Sequence, residues 1–409
     1  MSTLQCQRGL FGLDSEVCYL NCAAYSPLLL AAKAAGIEGI DVKVNPQMIT
    51  AGHHFADHAT LRAKIGEFLH MGRDIDLQEE ADRIAIFPSV SYGLAIVAKN
   101  LHRLEGISSK SNIITIHEEF PNDTYAFERI AEELNLHVVQ VAGGDEQEQD
   151  VATRVQQMGA RWNENILNAI TTETALVVLP HVHWIYGIVF SLERIGSKCR
   201  EVGALLVIDG SQSVGAQPFD FEAIQPDALI VAAYKWMLGP YSIAFGRFGK
   251  FFDEGVPLEE SWMNRANSAD FSSLTNHESK YRPLAQRYNM GEFSEFIHTP
   301  MLEVAVAHLI RCGGVIAINA YIKALTTEAV QRMKTLGVQF VADEFRANHI
   351  FGAILPSKEG LDVAQFAATL KELKIYVSVR GSALRISVNT FNDKQDLDKL
   401  VAAMEKVLL

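Results

Sequence analysis

Residues 204–239 read ALLVIDGSQSVGAQPFDFEAIQPDALIVAAYKWMLG, and this stretch decides the fold class. It holds two apolar runs, 204–208 and 228–231, with large aliphatic residues at successive positions. A strand that is apolar on both faces belongs inside a mostly parallel sheet covered by helices. Each run stops at polar residues. Asp209-Gly210-Ser211-Gln212-Ser213 follows the first, and Tyr234-Lys235-Trp236 follows the second.

Outward from there the same alternation spans residues 80–250. Residues 83–87, 113–116, 137–141 and 176–179 read as strands, and 93–104, 123–134 and 192–202 as helices. Strands alternating with helices give the α/β class. From 251 to 300 the pattern breaks into polar and aromatic residues, a length of irregular chain that is usually functional. Residues 301–312 read as a helix stopped by Gly313-Gly314. The last hundred residues read as α+β: strands at 350–355, 376–379 and 384–388, and helices at 361–374 and 396–408. The expected organisation is a large domain over 15–295 and a small α+β domain from 1–14 with 296–409, within the two or three domains that 409 residues suggest.

Composition narrows the function. The chain has 36 Lys and Arg against 49 Asp and Glu, a net charge of −13. An acidic balance argues against nucleic-acid and anionic-membrane partners, which need basic patches. The most apolar stretch, 175–190, carries Pro180, His181 and His183 and is too short to span a bilayer. The N-terminus lacks a basic region followed by an apolar one. Five cysteines at irregular spacing read as reduced thiols. A cytoplasmic protein is expected. His53, His54 and His58 include an i,i+4 pair on one helical face, but no Cys or carboxylate set accompanies them, so no metal site is expected.

In open α/β sheets, ligands bind beyond the carboxyl ends of the strands. Singly, the residues there have ordinary explanations: an Asp before Gly turns the chain, a Lys reaches water, a Ser caps a helix. Together they make one chemical set. A lysine amine can form a Schiff base with an aldehyde cofactor, and pyridoxal 5'-phosphate (PLP) needs an acid at its pyridine nitrogen. Asp209 would keep that nitrogen protonated, and Lys235 would carry the aldehyde and shuttle the substrate Cα proton. Val90, Ser91 and Tyr92 form a turn at a helix start, where backbone N–H groups suit a phosphate. Phe120 could stack on the ring, and Gln212 could reach its phenolic oxygen. In LRISV, Arg385 and Ser387 share a strand face, and an Arg fork suits a substrate carboxylate.

The stretch IDGSQSVGAQPFDF…DALIVAAYKWMLGPYSIAFG resembles the class V aminotransferases, a family of fold-type I PLP enzymes. YLNCAAYSPL, with Asn21 and Ala24, looks like the family's N-terminal substrate-side segment. The resemblance implies a mostly parallel seven-stranded sheet, PLP at Lys235, Asp209 and Gln212, and phosphate held by Ser91 and Tyr92. Arg385 is the implied carboxylate reader. Tyr234 resembles the kynureninase pattern, where a tyrosine before the lysine reaches the phosphate. His183 and Trp184 stand where many relatives carry an asparagine, so His183 is either a general acid or a packed histidine. Placement in the family puts Trp262, Asn264 and Arg265 at the substrate mouth and Ser294 at a neighbouring subunit's phosphate, with a homodimer implied. The expected reaction is transamination of a small amino acid. The alternatives are a lyase or hydrolase (kynureninase-like, or C–S cleavage without a catalytic cysteine) and epimerisation. Residues 379–385 have no room for the cysteine loop of the desulfurases.

Overall fold

The computed structural model describes residues 4–144, 148 and 150–409, so the first three residues of the expected small domain lie outside it. In chain order the strands are β1 (Cys18–Tyr19), β2 (Ile84–Phe87), β3 (Asn112–Ile116), β4 (His137–Val141), β5 (Thr174–Pro180), β6 (Leu205–Asp209), β7 (Ala228–Ala232), β8 (Ala244–Phe248), β9 (Ile350–Ile354), β10 (Ile375–Tyr376), β11 (Ser378–Arg380) and β12 (Ala383–Ser387). Seven of them form one sheet in the order β2-β8-β7-β6-β5-β3-β4. β8 runs antiparallel to both neighbours, and the other ladders are parallel.

The expected mostly parallel sheet is therefore present, with one strand that the sequence hid. In β8 the run AFGRF is broken by Gly246 and Arg247, so it lacks a continuous apolar signal. Both exceptions have tertiary reasons. A Cβ on Gly246 would come within 2.7 Å of Phe248, and Arg247 reaches over to Glu80. The sheet is buried on both faces. Alternate residues such as Leu206, Ile208, Leu229 and Val231 enter one apolar cluster, and Leu205, Val207, Ala228 and Ile230 enter the other.

The helix expected at 93–104 spans Val90–Asn100 and continues as a 3-10 turn, Leu101–Arg103. Residues 251–297 hold short 3-10 turns and one isolated bridge, Arg265 to Tyr281, as the broken pattern implied. The helix His298–Arg311 ends at Gly313 and Gly314, whose φ values are +89° and +70°. The expected strand at 376–379 divides between two sheets. β11, β12 and β9 form an antiparallel sheet, while β10 pairs in parallel with β1 and so draws the N-terminal segment onto the C-terminal part. Among the described residues no single helix is long and apolar enough to cross a membrane. Only the pair His298–Arg311 and Gly314–Thr335, bent by 69°, passes by length and composition together.

Candidate active site

Beyond the carboxyl ends of β2, β6 and β7 lies a cleft of about 270 Å3 whose walls include Ser89, Val90, Phe120, Asp209, Tyr234 and Lys235. Asp209 is the last residue of β6, and its Oδ1 accepts the Ser211 N–H at 2.7 Å. Lys235 follows β7, only 9% exposed, with Nζ 5.7 Å from the Phe120 ring and 5.5 Å from the Tyr234 ring. Burial lowers its amine to about 8, against the attraction of Asp209, and Arg385 adds to the lowering. An amine in that range is partly neutral near physiological pH and can act as a nucleophile. Ser211 Oγ accepts the Ala232 N–H at 3.0 Å, which pins the ends of β6 and β7 together.

The helix start expected to hold a phosphate differs in detail from expectation. Ser89 is the N-cap of the helix Val90–Asn100, with extended backbone, and its Oγ accepts the Tyr92 N–H at 3.2 Å. Residues 90–92 are thus the first helical turn rather than a free turn. Ser89 and Val90 line the cleft; Ser91 is solvent-exposed and outside its walls. The Tyr92 ring packs against Phe87 at 5.7 Å and bonds to Glu259, so it points away from the cleft. A helix N-terminus in general suits an anion. A Cβ on Gly93 would lie 2.7 Å from Ile230, so a glycine is what lets this helix sit directly on β7.

Phe120 forms a wall of the cleft, backed edge-on by Trp184 at 5.5 Å. The link between them is Glu118, held at φ +57°, whose carbonyl accepts the Trp184 Nε1–H at 2.8 Å. His183 is fully buried. Its Nε2 lies 3.2 Å from the same carbonyl, its Nδ1 faces the Ile185 and Tyr186 N–H groups, and its ring stacks on Tyr186 at 5.3 Å. Burial lowers it to about 3. Both ring nitrogens meet backbone groups and the ring does not line the cleft, which favours the packed-histidine alternative over the general acid. Trp184 likewise touches Phe120 and is no part of the cleft wall.

Gln212 is also committed elsewhere: its Nε2 donates to the Ala23 carbonyl and its Oε1 accepts from Trp236 Nε1. It ties the N-terminal segment to the lysine loop. In that segment Asn21 bridges to Ser387 and accepts from Ser378 Oγ at 2.6 Å, while the Ala24 N–H closes a turn on the Asn21 carbonyl. Tyr234 stands between Tyr25 and Tyr241, at 5.6 and 4.6 Å, and burial raises its hydroxyl to about 12.

Arg385, on β12, is 2% exposed. Its Nη1 donates to the Trp184 carbonyl at 3.1 Å, and among the described residues no acceptor meets Nε. Burial lowers the guanidinium to about 9, helped by Arg380. Gly187 makes this docking possible: with φ +70°, a Cβ there would sit 2.0 Å from the Ile350 carbonyl, so only glycine lets the β5 turn touch β9.

Other expected residues are not brought to the cleft within one chain. Trp262 contacts Phe271 and lines a separate groove with Arg265. Asn264 is buried and donates to the Asn289 carbonyl. Ser294 bonds His54 Nδ1 at 2.7 Å. His53 accepts the Thr50 N–H and His58 meets Thr299, so the three histidines face three different partners. The sequence reading missed Ser89, Asn122, Tyr241 and Ser242 on the cleft wall, the buried Asp123, and the half-buried Glu119. Tyr241 and Ser242 carried a signal, since they follow Gly239-Pro240 just after the lysine. Asp123 read only as an acid at a helix start.

The aminotransferase class-V family matches residues 77–400. A Bacillus subtilis protein called uncharacterized aminotransferase YcbU is 25% identical over 78% of this chain and 77% of its own length. A probable cysteine desulfurase of Pyrococcus abyssi is 28% identical over 44% of this chain and 42% of its own. Two solved structures share the fold. A variant of C-DES with glycine covalently linked to its PLP cofactor gives a TM-score of 0.80 at 19% identity, over 97% of this chain and 98% of its own. The apo cysteine desulfurase of Thermococcus onnurineus NA1 gives 0.78 at 18%, over 100% and 99%. The cleft fits PLP on its own chemistry. It offers a desolvated amine, a carboxylate at a strand end, a helix N-terminus and an aromatic wall. With residues 77–400 of 409 matched, the chain belongs to the aminotransferase class-V family, whose enzymes depend on pyridoxal phosphate.

Proposed function

We propose that this protein is a PLP-dependent enzyme that transaminates an α-amino acid. The observation that carries the substrate class is Arg385: a buried cation with one backbone acceptor and an unpartnered Nε. A desolvated charge without a counter-ion is costly, and a carboxylate meeting the guanidinium fork relieves that cost. Arg385 is close enough to lower the Lys235 amine, which fits a ligand spanning the two.

When bound, PLP supplies an aldehyde for the Lys235 amine and an electron sink for bond breaking at the substrate Cα. Lys235 holds and returns the Cα proton. Asp209 presents a carboxylate to the ring nitrogen, the Val90 helix N-terminus receives the phosphate, and Phe120 shields the ring from water. The proposed substrate is a small amino acid that would share the cleft of about 270 Å3 with the cofactor. The proposed assembly is a cytoplasmic homodimer. Leu30, Ile37, Ile40 and Val44 are each at least half exposed on the helix Leu30–Val44, and Trp262 and Ser294 would serve the partner's cleft.

A second reading is C–S cleavage, favoured by the desulfurase relatives. It would proceed without a protein thiol: no cysteine lines the cleft, and Arg380 pairs with Ala383 across a two-residue loop, Gly381-Ser382, with no space for a cysteine arm.

The test is absorption of the purified holoenzyme as single amino acids are added without a keto acid. Loss of the yellow band with one keto acid released per subunit supports transamination. Continuous release of ammonia or sulfide moves the reaction to a lyase. No yellow band after PLP is supplied overturns the whole reading.

A further inference from the structure

Behind the cleft three acids converge from three elements. Asp209 ends β6, Glu119 sits on the loop after β3, and Asp123 lies in the first turn of the helix Asn122–Leu134. The cation facing them is Lys235, beyond β7, with Arg385 of β12 behind it. Asp123 is 2% exposed, and among the described residues no N–H or O–H reaches its Oδ1. Its side chain is hydrogen-bonded to Asp209.

Two carboxyl groups share a hydrogen bond only if one keeps its proton. Asp209 is the member of the pair already placed as an acceptor. It accepts the Ser211 N–H at 2.7 Å and is the strongest attraction felt by Lys235. We propose that Asp123 is a positioning residue for Asp209: a carboxylic acid, neutral at pH 7, whose O–H donates to the Asp209 carboxylate and holds it against the cleft wall. The assignment to cofactor binding rests on the PLP reading; the proton itself does not.

Burial, with the repulsion of Asp209 and Glu119, pushes the Asp123 carboxyl well above the carboxylate range. The helix N-terminus favours the ionised form, but that field is the smaller effect for a group this buried. Glu119 is raised to about 8 by burial, with Asp209 adding to it and the Phe120 N–H opposing. Its Oε1 accepts that N–H at 2.7 Å while Oε2 has no partner. Glu119 is therefore a second acid of the cluster whose carboxyl is pushed up, and the test must separate the two.

The first measurement is the infrared spectrum of the apoprotein at pH 7. Asp123→Asn should remove one buried carboxylic-acid carbonyl band, and Glu119→Gln a different one. The second is PLP affinity. Asp123→Asn keeps a neutral donor and should bind within about 3-fold of the parent, while Asp123→Ala should weaken binding about 10-fold, the loss of one bond to a charged group. In an Asp209→Asn background Asp123→Ala should add less than about 2-fold, because its effect passes through Asp209. No acid band lost in Asp123→Asn overturns the proposal, as does an Asp123→Ala loss undiminished in the Asp209→Asn background. If the parent takes up no PLP while the Asp123 band is present, the PLP reading fails and the proton assignment stands.

Discussion

Lys235 and Arg385 are two cations held in conditions that ordinarily expel them. Burial brings the Lys235 amine to about 8, below the ~10.4 of an unfolded lysine. Between those values the unfolded chain binds more protons, so apoprotein stability rises with pH across that window. The rate at which apoprotein takes up PLP covalently should also rise through pH 8, followed by borohydride reduction and mass, with no adduct in Lys235→Ala. Arg385→Met should raise the KM for the amino acid about 10- to 100-fold, the loss of a carboxylate's charge-assisted bonds. The apoprotein should be no less stable, because an underpartnered buried charge is gone. Steady-state kinetics and urea unfolding of one preparation check the split. Lys235 and Asp209 were legible because strand ends announce themselves in sequence. His183 was not, since its two bonds run to Glu118 and to its own turn.

At the scale of elements, Glu80 shows how a short helix is locked to the hidden strand. It lies on the helix Leu77–Asp82 and is buried. Both its oxygens meet Arg247 of β8, at 3.0 and 3.1 Å, and Oε1 also meets His70 at 3.0 Å. Burial pushes the carboxyl up, but the bonds from His70 and Arg247 outweigh it and hold it below its usual range. The sign follows: this stability is present above the unfolded carboxylate value and is lost as pH falls through the depressed one. Glu80→Ala should cost about 3–5 kcal/mol at pH 7, since it strands Arg247. Urea unfolding measures it, and the gap from the parent should shrink in acid. No local pattern marks this contact, because Glu80 and Arg247 are 167 positions apart.

For the whole molecule, the exposed apolar row on the helix Leu30–Val44 is large for a surface that stays wet. Ile37→Glu with Ile40→Glu should convert a dimer to a monomer in sedimentation velocity and weaken PLP retention. A monomeric parent would remove the assembly proposed here. The cleft is itself a product of long-range closure. Asp209 and Lys235 come from adjacent strands, the helix cap from β2, and Arg385 from a sheet that reaches the site through Gly187.

Periodicity and strand-end chemistry are local, so the sequence alone determined the α/β class, the broken segment at 251–300, and the lysine and aspartate at the centre. Expectations that needed a partner from far along the chain were settled only by tertiary structure. Folding spends the Gln212 amide on Ala23 and Trp236, turns Tyr92 toward Phe87, and inserts antiparallel β8 between β2 and β7. It also buries Arg385 with its Nε unpartnered among the described residues and brings Asp123 to Asp209. A residue's type states what it can bond. Which of those bonds is made, and which is left for a ligand, depends on what folding brings within about 3 Å of it.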